Sequence, residues 1–220
     1  HEHNEGERIA QILEIAGEDD VLVVSDAGMP TVSDPGFLLV RAAVKADIAV
    51  TIIPGPSAVL SALAVSGLPT DRFTFEGFLP RKTGDRKKAF ESLARESRTM
   101  VFFESPHRIL ESLEDAASVL GAERQASVSR ELTKKFEHTQ RGTLPELVEW
   151  AKGEPKGEMV LVIAGAEAIE VKGEDLVQQV LALIEDGIGL KQAVAEIAGA
   201  AGAGKSELYQ SVLEARKALR

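Results

Sequence analysis

"DVLVVSDAGMP", residues 20–30, opens on the apolar run Val21, Leu22, Val23 and Val24, then breaks at once into small and turn-forming residues. An unalternated apolar run reads as a strand buried on both faces, and the abrupt break marks its end at a ligand-facing edge. Residues 34–69, "DPGFLLVRAAVKADIAVTIIPGPSAVLSALAVSGLP", repeat the layout. They predict a helix over about 36–45, a strand over 49–53, a loop "PGPS" and a helix over 58–66. Strand, helix, strand, helix implies a parallel sheet with crossover connections, in which ligands bind beyond the carboxyl ends of the strands. The loops 25–36 and 54–57 both fall at that edge. A helix over 8–15 precedes them.

Downstream, "GLPTDRF" at 67–73 punctuates the chain and the texture changes. "FTFEGFLP" and "TMVFFES" read as aromatic strands, followed by a helix over 109–120 and a strand in "QASVSREL". Strand-like "EHTQRGTL" and "GEMVLVIAG" flank the helical "LPELVEWAKG", so this second sheet is expected to be mixed. The fold class expected is α/β, in two α/β domains over residues 1–69 and 70–170. A helical region over 171–220, ending in a hairpin, completes it.

"GAAGAGKS", residues 199–206, matches the phosphate-loop pattern G-x-x-x-x-G-K-[ST]. That loop works only when a buried strand delivers it and a helix leaves it. Here Leu190, Ala193, Val194, Ile197 and Ala198 recur at helical spacing before it, and Leu208, Val212, Leu213 and Leu219 do so after it. Two helices joined by glycines is therefore the reading, and a nucleotide hydrolase is the rival it displaces.

The 220 residues carry 44% hydrophobic and 27% charged side chains, ordinary for a globular protein, and no run approaches the roughly 20 apolar residues of a membrane span. The absence of cysteine excludes a disulfide framework, a thiolate nucleophile and Cys-ligated zinc, and fits a cytoplasmic setting. A net charge of −10 argues against coating nucleic acid by bulk electrostatics but leaves room for a local basic patch. The opening His1, Glu2 and His3 read as a solvated terminus, so no metal is expected.

Chemistry concentrates in four places. The two edge loops offer backbone N–H groups, small side chains and the acid Asp26, which suits an adenosine ligand or else a pair of tight turns. "PRKTGDRKK" places Arg81, Lys82, Arg86, Lys87 and Lys88 against the single acid Asp85, with Arg130, Lys134 and Lys135 as a second group. These read as a phosphate-binding surface or as a solvated face. "ESPHR" sets Glu104, His107 and Arg108 at a strand end, where they either orient a substrate hydroxyl and take its proton or form an ion pair, Glu104 with Arg108 or Arg130.

The stretches "VSDAGMPTVSDPG", "PGPSA", "SGLPTDRFTFEGFLPRK", "FFESPHR", "SRELTKKFE" and "KGEMVLVI", in this order, resemble the ribosomal RNA small subunit methyltransferase I family of the tetrapyrrole methylase superfamily. The resemblance runs over nearly the whole chain, and "ESPHR" with "RELTK" sets this branch apart from the porphyrin and corrin methylases. It implies methyl transfer from S-adenosylmethionine to the ribose 2′-hydroxyl of a cytidine in small-subunit ribosomal RNA. The partner it implies is that RNA or the assembled small subunit, met by a homodimer. By the same resemblance a strand and a loop reading like "PTPIGNL" would precede residue 1. It further implies a cofactor pocket lined by Asp26, Ala27, Gly28, Pro30, Pro54, Gly55, Pro56, Ser57 and Ala58, with 157–160 and Ser33, Asp34 and Pro35 at its rim. Glu104, Arg108 and Arg130 are the catalytic candidates, and the basic residues named above the RNA contacts. A small-molecule tetrapyrrole methylase is the rival within the fold, and a non-catalytic RNA-binding remnant a further one.

Overall fold

A computed structural model describes residues 5–25, 28–167, 173–201 and 203–218. The chain divides into two compact units, His1–Ala166 and Glu167–Arg220. The first holds α1 (Glu5–Ala16), α2 (Phe37–Lys45), α3 (Ala58–Ser66), β1 (Phe73–Phe78), α4 (Thr83–Ser92), β2 (Thr99–Glu104), α5 (Ile109–Leu120), β3 (Gln125–Arg130), β4 (His138–Thr143), α6 (Leu144–Ala151) and β5 (Met159–Ile163). The second holds α7 (Gly173–Glu185), α8 (Leu190–Ala201) and α9 (Lys205–Ala218).

The five strands form one sheet in the order β1-β2-β5-β3-β4. β1 and β2 are parallel, joined through α4, while β5 runs antiparallel between β2 and β3, and β4 antiparallel to β3. The sheet is therefore mixed. Its two central strands, "TMVFFE" and "MVLVI", are apolar on both sides because helices cover both. Met100, Phe102, Leu161 and Ile163 pack with Phe90 of α4, Ile109, Leu113 and Ala116 of α5, and Leu144 and Leu147 of α6. Val101, Val160 and Val162 point the other way, onto Val59, Ala62 and Leu63 of α3. Period-two alternation thus divides one strand between two cores.

The strands expected over 21–24 and 49–53 are not strands among the described residues. Both segments are irregular, and Leu22, Val24, Ile52 and Ile53 are 63–77% exposed. An apolar run becomes a strand only where a neighbour accepts its ladder hydrogen bonds, and no described strand pairs with either. The flanking helices α2 and α3 do form, since their hydrogen bonds are internal.

In the second unit Leu176, Val177 and Val180 of α7 share a core with Ala193, Val194 and Ala198 of α8 and Leu208 and Val212 of α9. The expected hairpin is α8 with α9, and α7 adds a third helix to it. Gly199 lies inside α8, and Lys205 and Ser206 open α9, so a helix and not a strand leads into "GAAGAGKS". Among the described residues no helix is long and apolar enough to cross a membrane.

Candidate functional site

Because β1, β2 and β3 point the same way, their carboxyl ends share one edge of the sheet with the start of β5. A cavity of about 630 Å³ opens there. This falls within the roughly 300–1,000 Å³ of small-molecule sites. The strand ends supply Phe78, Phe103, Glu104, Glu131 and Val160, and the first turn of α3 supplies Ser57, Ala58 and Val59. Gly28, Met29, Val32, Ser33 and Asp34 close a further side.

Ser57 caps α3, its hydroxyl accepting from the N–H of Leu60 at 3.4 Å. The remaining first-turn N–H groups have no partner within the helix, and they sit at the positive end of its dipole beside the cavity. Such an end favours a carboxylate. The cavity's size, its small residues Gly28, Ser57 and Ala58, and this helix start fit S-adenosylmethionine, whose amino-acid carboxylate and adenosine need those features.

Of the residues expected to hold that cofactor, Gly28, Ser57 and Ala58 line the cavity, as do Gly157, Glu158, Met159, Val160, Ser33 and Asp34. Pro30, Pro35, Pro54, Gly55 and Pro56 are not in its lining, and 54–56 are exposed. Asp26 and Ala27 lie outside the described residues, as do His1, Glu2 and His3. Among the described residues no His, Asp or Glu cluster is arranged to hold a metal ion.

Glu104 is buried at the end of β2, and both its oxygens are occupied. One accepts the Ser105 N–H at 2.7 Å and pairs with Arg108 at 2.6 Å; the other accepts the Ser112 hydroxyl at 2.7 Å. Of the two ion pairs open in the sequence, the one with Arg108 forms. Arg108 also donates to the Leu79 carbonyl, drawing the end of β1 to that of β2. Arg130 donates instead to the Lys156 carbonyl, and His107 is exposed. A carboxylate so engaged holds the Ser105–Pro106 wall in place.

Arg86 requires a correction. It is fully buried, with Nε on Asp115 at 2.7 Å and its other nitrogens on Glu111, Thr83 and the carbonyls of Pro80 and Arg81. A guanidinium with its donors turned inward is not available to phosphate. Arg81, Lys82 and Lys88 are exposed, whereas Lys87 lies 3.6 Å from Asp115. Lys134 pairs with Glu131 and Glu158, and Lys135 stands over the Phe136 ring.

Sequence reasoning missed Glu131, Phe78 and Phe103. Glu131 adopts φ +51°, and its Oε1 accepts from the Glu158 N–H at 3.1 Å and from Lys134 at 3.2 Å. Those two donors, the backbone one foremost, hold its carboxyl below the usual range. Its side chain lies over Gly157, where an added Cβ would meet Oε1 at 2.5 Å. A non-glycine residue held left-handed beside a ligand cavity is the kind of strain that clusters at functional loops. The only signal for it was its place in "RELTK".

A family model described as Tetrapyrrole (Corrin/Porphyrin) Methylases matches residues 1–148. The crystal structure of the methyltransferase CobJ is similar at a TM-score of 0.55 and 22% identity, over 74% of this chain and 72% of that one. The fold is that of the tetrapyrrole methylases. The chain is also 48% identical over 198 residues to the Ribosomal RNA small subunit methyltransferase I of Mycobacterium tuberculosis (strain CDC 1551 / Oshkosh), covering 90% of this chain and 69% of the relative. It is 43% identical over 222 residues to the enzyme of the same name from Pseudomonas aeruginosa, covering 97% and 78%. The chain belongs to the tetrapyrrole methylases and, within them, to the ribosomal RNA small subunit methyltransferase I family.

Proposed function

We propose that this protein transfers the methyl group of S-adenosylmethionine to the ribose 2′-hydroxyl of a cytidine in small-subunit ribosomal RNA, acting in the cytoplasm as a homodimer. The observation that carries the proposal is the cavity at the sheet edge, which collects Gly28, the capped start of α3, the Glu104–Pro106 wall and Gly157 in one place. Bound there, S-adenosylmethionine supplies an electrophilic methyl on a positively charged sulfur. The ribose oxygen would take that methyl group and lose its proton to solvent.

Such a transfer depends on alignment more than on acid–base assistance. The chain's residues supply that alignment. The α3 N-terminus would hold a carboxylate of the cofactor, while Glu104 with Arg108 and Ser112 fixes the β2 wall and Glu131 pins the loop after β3 to the start of β5. Exposed Arg81, Lys82, Lys88 and Lys135 meet the phosphates.

The test incubates the protein with methyl-labelled cofactor and three acceptors: assembled small subunits, naked small-subunit RNA and a uroporphyrin-like tetrapyrrole. Label on a cytidine 2′-oxygen, with assembled subunits preferred, is the expected result. Label on the tetrapyrrole alone would overturn the proposal.

A further inference from the structure

Phe78 is 61% exposed at the end of β1, whose residues are exposed or half-buried. Its ring is held in place all the same. It leans on Phe103 at 5.4 Å between centroids, and Phe103 rests edge-on against Phe75 at 4.9 Å. Phe75 and Phe103 in turn pack on the core under α3. Phe78 therefore offers one face of a supported ring to the cavity it lines.

The chain beyond it is also fixed. Arg86, buried, donates to the carbonyls of Pro80 and Arg81 and pairs with Asp115, so the segment between β1 and α4 is tied to α5 from within. That tie leaves Arg81 and Lys82 exposed three and four residues past the ring, with no ion pair among the described residues. A second exposed ring, Phe136, lies with Lys134 and Lys135 on the loop whose first residues, Glu131 and Leu132, line the same cavity. Aromatic faces interleaved with cations are how single-stranded nucleic acid is held: bases stack and phosphates are neutralised.

In a single-stranded loop of RNA a nucleotide can be splayed out and its base stacked on an aromatic ring, which brings its ribose to a cavity beside that ring. Resting on the functional reading above, we infer that Phe78 is the stacking platform for the base of the nucleotide being methylated, with Arg81 and Lys82 holding the adjoining phosphate. The buried Arg86 acts through them, as the positioning residue of the loop.

The experiment compares the parent with Phe78→Leu and Phe78→Trp on assembled small subunits at saturating S-adenosylmethionine, and separately titrates the cofactor without RNA. Phe78→Leu keeps an apolar side chain of similar reach but has no ring face, so KM for the subunit rises roughly 5- to 100-fold while the cofactor Kd moves by less than about twofold. Phe78→Trp stays near the parent. Equal KM for Phe78→Leu and the parent would overturn the inference. A cofactor Kd that worsens as much as KM would also overturn it, making the ring a wall for the cofactor. A parent that binds cofactor yet methylates no small-subunit RNA fails the functional reading itself, and the platform with it.

Discussion

Arg86 and Gly157 show how a single position is governed by what surrounds it. In the sequence Arg86 is one cation among five; in the fold its side chain is buried and Asp115 is nearly so. Breaking a buried pair strips the other charge of its main partner, here leaving Asp115 only Lys87 at 3.6 Å, so Arg86→Leu is expected to cost about 3 kcal/mol. Replacing both by Leu should cost less than the two single changes together. Urea unfolding of the two single variants and the double one checks this, with strict additivity as the contrary outcome. Gly157 has φ +99° and the Glu131 side chain where a Cβ would stand. Gly157→Ala therefore meets both backbone strain and a clash, and is expected to lose more than about 1 kcal/mol of stability. It should also weaken S-adenosylmethionine binding, because Glu131 can no longer close onto Glu158. A thermal melt and a calorimetric titration read the two effects.

At the scale of elements, connections here are held by side chains that return to their own backbone. Between α4 and β2, Glu96 accepts the Arg98 N–H at 2.9 Å and both Nε and Nη2 of its guanidinium, which lowers its carboxyl to about 2. The carbonyl of Glu96 also receives the Ala166 N–H at the far end of the unit. A carboxyl lowered in the folded state adds stability that is fully present above its unfolded value of 4.5 and is lost as pH falls toward about 2. Glu96→Gln should therefore unfold at lower urea than the parent at pH 6, and the gap should narrow as pH drops below 4.5. A gap that does not change with pH would refute the pairing. The strand β1 ends in the same manner, with Arg108 and Arg86 donating to the carbonyls of Leu79, Pro80 and Arg81. Phe78 and the cations beyond it are thereby presented rather than left loose.

For the whole molecule, a charge of −10 coexists with cations, Arg81, Lys82 and Lys88, that form no ion pair among the described residues. Each phosphate neutralised by such a cation contributes about 0.7 to 0.9 to the slope of log affinity against log salt. Replacing Arg81, Lys82 and Lys88 by Ala is expected to weaken RNA binding and to reduce that slope by about 2 to 3 units, with cofactor affinity unchanged. Filter binding across a salt series gives the slope, and an unaltered slope would move the RNA to another face. Arg86 is left out of this set, since its loss would act through folding.

Local pattern carried much of the sequence's message. The helix expected over 109–120 is α5, that over 58–66 is α3, and the aromatic runs are β1 and β2, because helical hydrogen bonds and strand alternation depend on near neighbours. The same periodicity made "GAAGAGKS" a turn between helices. Gly28, Ser57 and Ala58 of the two loops do line the cavity, although it lies at the edge of the β1–β5 sheet and not of the sheet expected from 21–24 and 49–53, and the ordered motifs carried the family. What the sequence could not reveal was which runs find partners. Residues 21–24 and 49–53 read as strands as clearly as β5 does, yet among the described residues β5 has strands to bond and they do not. Nor could it tell a solvated cation from Arg86, a free carboxylate from Glu104, or an ordinary aromatic from Phe78. Exposure and pairing depend on residues beyond local pattern, eight positions away for Ser112 and Glu104 and 25 or more for Asp115 with Arg86 and Phe103 with Phe78, and only the tertiary structure brings them together.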